Sequence, residues 1–126
     1  MKYNKNIVLN ILSSEFFDQI EEYALECIWR LDESELYEIV EEDVDCAELD
    51  YIDELRIIEY DVREEEDMEY IEGILEVSAY IDGYSIWKDE EEDEDIISGN
   101  GLYIMEMKFE LSGCQGKYSD LELEQI

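Results

Sequence analysis

The block from Asp32 to Asp95 constrains the fold of this chain more than any other stretch. It carries 29 of the 39 acidic side chains and three basic ones, which gives it a net charge of −26. Apolar residues recur through the block, for example at Leu36, Val44, Ile57 and Val62. A disordered acidic segment combines high net charge with few apolar residues, and only the first condition holds here. The block therefore predicts an ordered core under a negative shell.

The composition of the whole chain predicts a single acidic domain over residues 1–126. This length allows roughly two-thirds of the unfolded surface to be buried, and the hydrophobic content is 46%. The formal net charge is −31, whereas solubility in a small domain requires a magnitude of only about 2 to 8. Because such a charge destabilises the compact state by self-repulsion, we expect it to serve a function.

The expected compartment is a reducing cytoplasm. We find no apolar run long enough to span a membrane and no signal-peptide pattern near Met1. The negative charge opposes binding to anionic lipid surfaces and direct binding to nucleic acid. Cys27, Cys46 and Cys114 form an odd set without a C-x-x-C pair, which predicts free and mostly buried thiols.

The first third of the chain predicts helices. Residues 4–12 carry an apolar set that suits a short helix or a strand, and Ser13 and Ser14 then offer N-caps. Over residues 16–31 the apolar positions recur at helical spacing, which predicts an amphipathic helix with Trp29 in its buried stripe.

A further helix is predicted after Asp32 or Ser34, either of which can serve as its N-cap. Its outer face is expected to carry four acids, Glu35, Glu38, Glu41 and Glu42. Residues 45–54 are expected to form another helical turn or a loop.

The rest of the chain predicts antiparallel strands. Alternating apolar residues indicate strands at 55–62, 68–87 and 102–111, and a short strand at 120–123. Turns are predicted at 64–67 and 98–101, Asp82-Gly83 is a tight turn or a kink, and the seven acids at 89–95 predict a mobile acidic loop. Helices followed by strands indicate an α+β fold, with N-terminal helices packed on an antiparallel sheet of three to four strands.

Catalysis is not expected. The chain contains no histidine, which removes the commonest general base and the commonest metal ligand. It contains no nucleotide-binding glycine motif and no nucleophile motif. The EF-hand spacing is absent, so consecutive acids predict weak divalent-cation binding without a dedicated metal site. No cofactor is expected.

The charge pattern resembles that of a nucleic acid. Duplex DNA carries one negative charge per roughly 1.7 Å of axis, so 31 net charges correspond to roughly 53 Å of duplex. Acids at helical spacing, or at i, i+2 in a strand, place carboxylates about 5–7 Å apart, similar to the distances between phosphates. A folded polyanion of this kind is suited to the basic groove of a nucleic-acid-binding protein.

In size, charge, absence of histidine and lack of a catalytic motif, the chain resembles the small acidic DNA-mimic inhibitors of phages and mobile elements. These include antirestriction proteins and acidic anti-CRISPR proteins. The resemblance is one of composition over the whole chain, and no motif matches residue by residue. It implies that the chain acts in the cytoplasm of a bacterial host cell, where it blocks the nucleic-acid-binding groove of a Cas effector, a restriction complex or another nuclease.

Two other functions remain open. One is an immunity protein or antitoxin that neutralises a cationic nuclease toxin. The other is a non-inhibitory acidic protein, either an accessory protein or one adapted to high salt. A strand edge after Lys108 would also allow a homodimer.

The predicted partner-binding residues comprise three acidic segments and one tryptophan. Trp87, beside Lys88, is either buried or an exposed anchor for a partner, since tryptophan is enriched in interface hot spots. The full set is Glu35, Glu38, Glu41, Glu42, Asp43, Asp45, Glu64, Glu65, Glu66, Asp67, Trp87, Asp89, Glu90, Glu91, Glu92, Asp93, Glu94 and Asp95.

Overall fold

The computed structural model describes residues 4–42, 44–84, 97–114 and 117–126. Over these residues the chain forms three helices followed by a four-stranded antiparallel sheet, which confirms the predicted α+β fold. The strands follow one another in the order β1-β2-β3-β4. The elements are α1 Lys5–Glu15, α2 Phe17–Trp29, α3 Glu33–Val40, β1 Cys46–Glu65, β2 Met68–Tyr84, β3 Ile97–Cys114 and β4 Lys117–Gln125.

The contacts divide the chain into two compact units, and each is described by itself. The first unit comprises Met1–Glu21, Leu55–Val77 and Met105–Ile126. The second unit comprises Glu22–Glu54 and Ser78–Ile104. The predicted mobile loop at 89–95 lies outside the described residues.

The start of α1 is set by Asn4, whose side chain accepts a hydrogen bond from the backbone N–H of Ile7 at 2.9 Å. The prediction that Ser13 and Ser14 are N-caps is wrong. Both lie inside α1, and their hydroxyls donate to the carbonyl of Asn10 one turn earlier. Such back-bonding satisfies a serine in a helix interior, so the helix continues to Glu15.

Asp32 is the N-cap of α3, since its side chain accepts from the backbone N–H of Glu35 at 2.8 Å. The alternative cap, Ser34, is wrong. The helix ends where Glu41 adopts a left-handed conformation with φ of 62° and donates its backbone N–H to Tyr37. Glu41 and Glu42 therefore follow α3, and their predicted position on its outer face is wrong.

The strands β1, β3 and β4 are longer than the alternation predicted, and β2 begins at Met68 as predicted. The expected helical turn or loop at 45–54 is wrong, because β1 begins at Cys46. Apolar residues there recur every third position, which imitates a helix, but Tyr51 contacts Tyr80 across the sheet. The strand β2 continues through Asp82 and Gly83, so no tight turn forms there.

The predicted turn at 98–101 is wrong, because these residues lie in β3. The glycines serve close packing instead. A Cβ atom on Gly99 would collide with the side chain of Val40, and one on Gly101 would collide with the carbonyl of Ile39. The glycines thus let α3 lie directly on the backbone of β3 within the second unit.

The inner face of the sheet carries the core of each unit. In the first unit the core includes Leu12, Ile20, Leu75, Met107 and Leu111. In the second it includes Ile28, Leu36, Val40, Ala79 and Ile81. Within the first unit, the Gln19 amide donates to the carbonyl of Leu121 at 2.6 Å and so ties α2 to β4.

The tail forms a complete strand. β4 pairs antiparallel with β3, so that Phe109 faces Leu123 and Leu111 faces Leu121. Because β3 lies between β2 and β4, the free strand edge predicted after Lys108 is wrong. The strand edge on which the homodimer prediction was based is therefore paired with β4.

Trp29 is not a core residue, contrary to the prediction, since 64% of its surface is exposed. It is the last residue of α2 and lies off the stripe formed by Ile20, Ala24, Cys27 and Ile28. The prediction of mostly buried thiols is also wrong. No disulfide joins the three cysteines, as predicted, but only Cys27 is buried. No helix among the described residues is long and apolar enough to cross a membrane.

Candidate acidic partner-binding surfaces

The described residues carry 31 acidic side chains against six basic ones, because eight acids and two lysines lie outside them. Several of the basic side chains pair within the protein. Arg56 contacts Glu76, and Arg63 contacts both Glu65 at 3.3 Å and Glu72 at 3.9 Å. Arg63 also lies over the ring of Tyr70, 4.7 Å from its centroid. These arginines leave most carboxylates uncompensated.

The second unit holds the first predicted acidic segment. Glu35 and Glu38 are exposed on α3, and Glu41 and Glu42 are exposed just after it. Asp45 is half-buried, and its backbone N–H donates to the carbonyl of Tyr84 at 2.9 Å. Asp43 lies outside the described residues.

The first unit holds the second predicted segment, at the β1–β2 hairpin. Glu64 and Glu65 end β1, so the turn is shorter than predicted and consists of Glu66 and Asp67. All four side chains are exposed. Glu66 adopts a left-handed φ of 54°, which reverses the chain. The third segment, Asp89 to Asp95, and Trp87 lie outside the described residues.

The structure reveals an acidic surface that the sequence analysis missed. In the first unit, an open concavity of about 920 Å³ crosses all four strands. We call it the acidic groove. One basic residue, Lys108, also lines it. Its carboxylates are Glu59, Asp61, Glu72, Glu110, Glu122 and Glu124.

The groove follows from strand alternation. Phe109, Leu111 and Leu121 are buried on the inner face, so the residues between them point to the other face. Glu110 lies directly opposite Glu122, and Lys108 lies opposite Glu124. Like charges directly opposite each other destabilise an antiparallel pair. The Glu110–Glu122 pairing therefore costs stability, which is consistent with a role in binding.

The sequence contains a pattern that could have indicated the acidic groove. Charged residues alternate with apolar ones at Glu106, Lys108 and Glu110, and glutamates alternate with apolar residues again at Glu122 and Glu124. The sequence predicts only a short strand at 120–123 in this region, which does not pair these glutamates with those of β3. Only the register of β3 and β4 shows that the two sets lie side by side.

In the second unit, an amide holds two carboxylates together. The Asn100 side chain donates to Asp82 at 2.8 Å and lies 3.4 Å from the Asp50 carboxylate. Nearby, Tyr51 and Tyr80 have ring centroids 5.1 Å apart. Desolvation raises the pKa of the Tyr51 phenol, and Tyr80, Asp53 and Asp50 raise it further. The phenol is therefore neutral at physiological pH, in a region of negative potential.

The described surfaces offer charge and shape. Among the described residues, no group of three or more Asp, Glu or Cys side chains is placed to hold a metal ion. The surfaces suit recognition of a cationic partner through many carboxylates. No protein family, curated protein or solved protein structure matches this chain.

Proposed function

We propose that this chain is an acidic DNA-mimic protein that binds and blocks the nucleic-acid-binding groove of a bacterial defence protein. A Cas effector or a restriction complex is the expected target. The observation that carries the proposal is the acidic groove, where Glu110 faces Glu122 across β3 and β4 and Lys108 is the one basic residue among the described lining residues.

The spacing of these carboxylates supports the proposal. Neighbouring strands lie about 4.8 Å apart, and alternate residues along a strand lie about 6.6 Å apart. The four strands therefore present negative charges in a two-dimensional array with spacings similar to those of phosphates. A partner that neutralises a phosphate backbone with lysine and arginine meets a comparable pattern here.

Binding would proceed through the partner's cations. Steering by the net charge of −31 accelerates encounter. On docking, arginines and lysines of the partner form charge-assisted hydrogen bonds with the carboxylates. The protein offers no phosphodiester to cleave and no base to read, so the partner's groove remains occupied without reaction.

The proposal is tested by a pull-down from lysates of bacteria that carry defence systems. The tagged protein is incubated at low and at moderate salt, and bound proteins are then challenged with duplex DNA. We expect recovery of one nuclease or Cas effector that duplex DNA releases. Recovery of only a scatter of basic proteins, all lost at moderate salt, would contradict the proposal. A single nuclease toxin that DNA does not release would indicate the immunity protein instead.

Matched variants locate the binding surface. A groove variant combines Glu59→Lys, Asp61→Lys and Glu122→Lys. Its control carries the same charge change on exposed helix positions of the same unit, with Glu15→Lys, Asp18→Lys and Glu21→Lys. We expect the groove variant to lose more than about tenfold in affinity and the control to lose much less. Circular dichroism verifies that both variants fold.

A further inference from the structure

Large apolar side chains are exposed on the second unit, close to its carboxylates. Tyr51 is 50% exposed, Leu102 41% and Ile104 54%. Exposed apolar residues are ordinary when they are scattered, but a contiguous group with a polar rim marks an interaction site. The three side chains therefore indicate an interaction site only if they lie next to one another.

The three side chains lie on one face of the sheet. Asn100 contacts Asp82 across β3 and β2, so a step of two residues along each antiparallel strand places Leu102 near Tyr80. Ile104 follows on the same face, and Tyr51 contacts Tyr80 from β1. We call Tyr51, Tyr80, Leu102 and Ile104 the apolar patch.

The patch faces away from α3. Gly99 and Gly101 direct their missing Cβ atoms toward Val40 and Ile39 of that helix. Because side chains alternate along a strand, Leu102 and Ile104 point to the opposite side. No described residue of α3 therefore covers them.

Carboxylates lie beside the patch. Asp50 and Asp82 share the amide of Asn100. Asp53 and Asp50 both act electrostatically on Tyr51. The apolar patch thus has an acidic rim, and its occupant must complement both features.

We infer that the apolar patch is a docking site for a basic protein surface that carries exposed apolar side chains between its lysines and arginines. The inference rests on the proposed function, because it assigns the anchor of the same inhibitory complex. Duplex DNA offers no equivalent of such an anchor. The patch would therefore select one partner among the many proteins whose grooves accept a polyanion.

Charge complementarity decides between the possible occupants. A second copy of this chain would bring two acidic rims together, and like charges repel across an interface. An anionic lipid surface is repelled for the same reason. A basic protein surface pairs with the rim, while its apolar side chains bury the centre in the arrangement typical of interface hot spots.

The acidic rim and the apolar centre of the patch contribute to binding in different ways. Rim charges act mainly on the association rate and are weakened by salt. A buried apolar centre slows dissociation and is little affected by salt. The complex is therefore expected to retain part of its affinity at salt concentrations that abolish purely electrostatic binding.

The test uses two synthetic peptides of equal length and equal positive charge. One contains lysine and serine, and the other contains lysine with leucine replacing several serines. Each is titrated into isotope-labelled protein and followed by NMR at low and at high salt. The patch variant combines Leu102→Ser and Ile104→Ser. Its control, Ile7→Ser with Ile126→Ser, removes two exposed apolar side chains outside the patch.

We expect the leucine-containing peptide to bind more tightly than the serine peptide and to shift the NMR signals of the apolar patch. It should remain bound at high salt. The patch variant should weaken this peptide about tenfold or more and leave the serine peptide unchanged. Equal binding of the two peptides, or an unaffected patch variant, would overturn the patch inference alone. Failure of both peptides to bind at low salt would overturn the proposed function as well.

Discussion

Arg56 Nη2 lies 3.1 Å from each carboxylate oxygen of Glu76, across β1 and β2. The Glu76 side chain is only 19% exposed, so its charge is partly removed from water. The pair of Glu26, on α2, and Arg30, just after that helix, differs, since their closest atoms are 3.9 Å apart and both side chains are mostly exposed. The two ion pairs should therefore contribute unequally to stability.

We predict that Arg56→Gln lowers the free energy of unfolding by about 1–2 kcal/mol, because it leaves a half-buried carboxylate without its cation. Arg30→Gln makes the same change in net charge and should lower the free energy of unfolding by less than about 0.5 kcal/mol. Urea denaturation of both variants measures the difference. Equal losses would show that net charge, and not the Arg56–Glu76 contact, is responsible.

Close packing of α3 on the sheet predicts a strong effect at Gly101. The variant Gly101→Val introduces a side chain against the carbonyl of Ile39 and should destabilise the protein by about 1–3 kcal/mol. Leu102→Val is the control, since the adjacent side chain is exposed on the other face. Thermal unfolding measures both. An unchanged Gly101→Val variant would contradict the assignment of this glycine to the α3 contact.

The bridge at Asn100 predicts a salt-dependent effect. Asn100→Asp places a third carboxylate beside Asp82 and Asp50, and the repulsion should destabilise the protein at low salt. Asn100→Ala removes the hydrogen bonds without adding charge. Melting temperatures are compared at about 0.01 M salt, where the Debye length is about 30 Å, and at about 1 M, where it is about 3 Å. The difference in melting temperature between the two variants should become smaller at high salt. A difference that does not change with salt would exclude charge repulsion as its cause.

Thiol reactivity should separate the cysteines. Burial raises the pKa of the Cys27 thiol, Arg30 lowers it and Glu26 raises it, with burial the largest effect. Cys46 and Cys114 are exposed. A thiol reagent should therefore modify two thiols in the folded protein and the third only after unfolding. A Cys46→Ser, Cys114→Ser variant that still reacted rapidly would contradict the burial of Cys27.

The raised pKa of Cys27 predicts that the stability of the protein depends on pH. Because the pKa of Cys27 is higher in the folded state than in the unfolded state, the stability it contributes is present below the unfolded pKa. That contribution is lost as the pH rises through the folded pKa. Denaturation across the alkaline range should show the loss in the wild-type protein and a smaller loss in Cys27→Ala.

The sequence predicted the order of the elements and the inner face of the sheet, because apolar periodicity reports burial directly. Met107, Phe109 and Leu111 alternate in the sequence and are buried as expected. Predictions failed where one signal has two physical meanings. Glycines at 99 and 101 indicate a turn as readily as close helix packing, and only α3 distinguishes the two.

The candidate site was predicted only in part for a related reason. Acidic runs are visible in the sequence, and Glu35 and Glu64 are exposed as expected. The acidic groove joins glutamates that are far apart along the chain, such as Glu59, Glu110 and Glu122. Strand register brings them together, and register depends on the tertiary fold rather than on local spacing.

Competition with duplex DNA on a purified partner tests the central claim most directly. A fluorescent duplex is bound to the nuclease or Cas effector recovered in the pull-down, and the protein is titrated in while fluorescence anisotropy is measured. The account predicts complete displacement of the duplex by the wild-type protein, with the groove variant weaker by more than about tenfold and its helix control close to wild type. A ternary complex in which the duplex stays bound at saturating protein would contradict DNA mimicry.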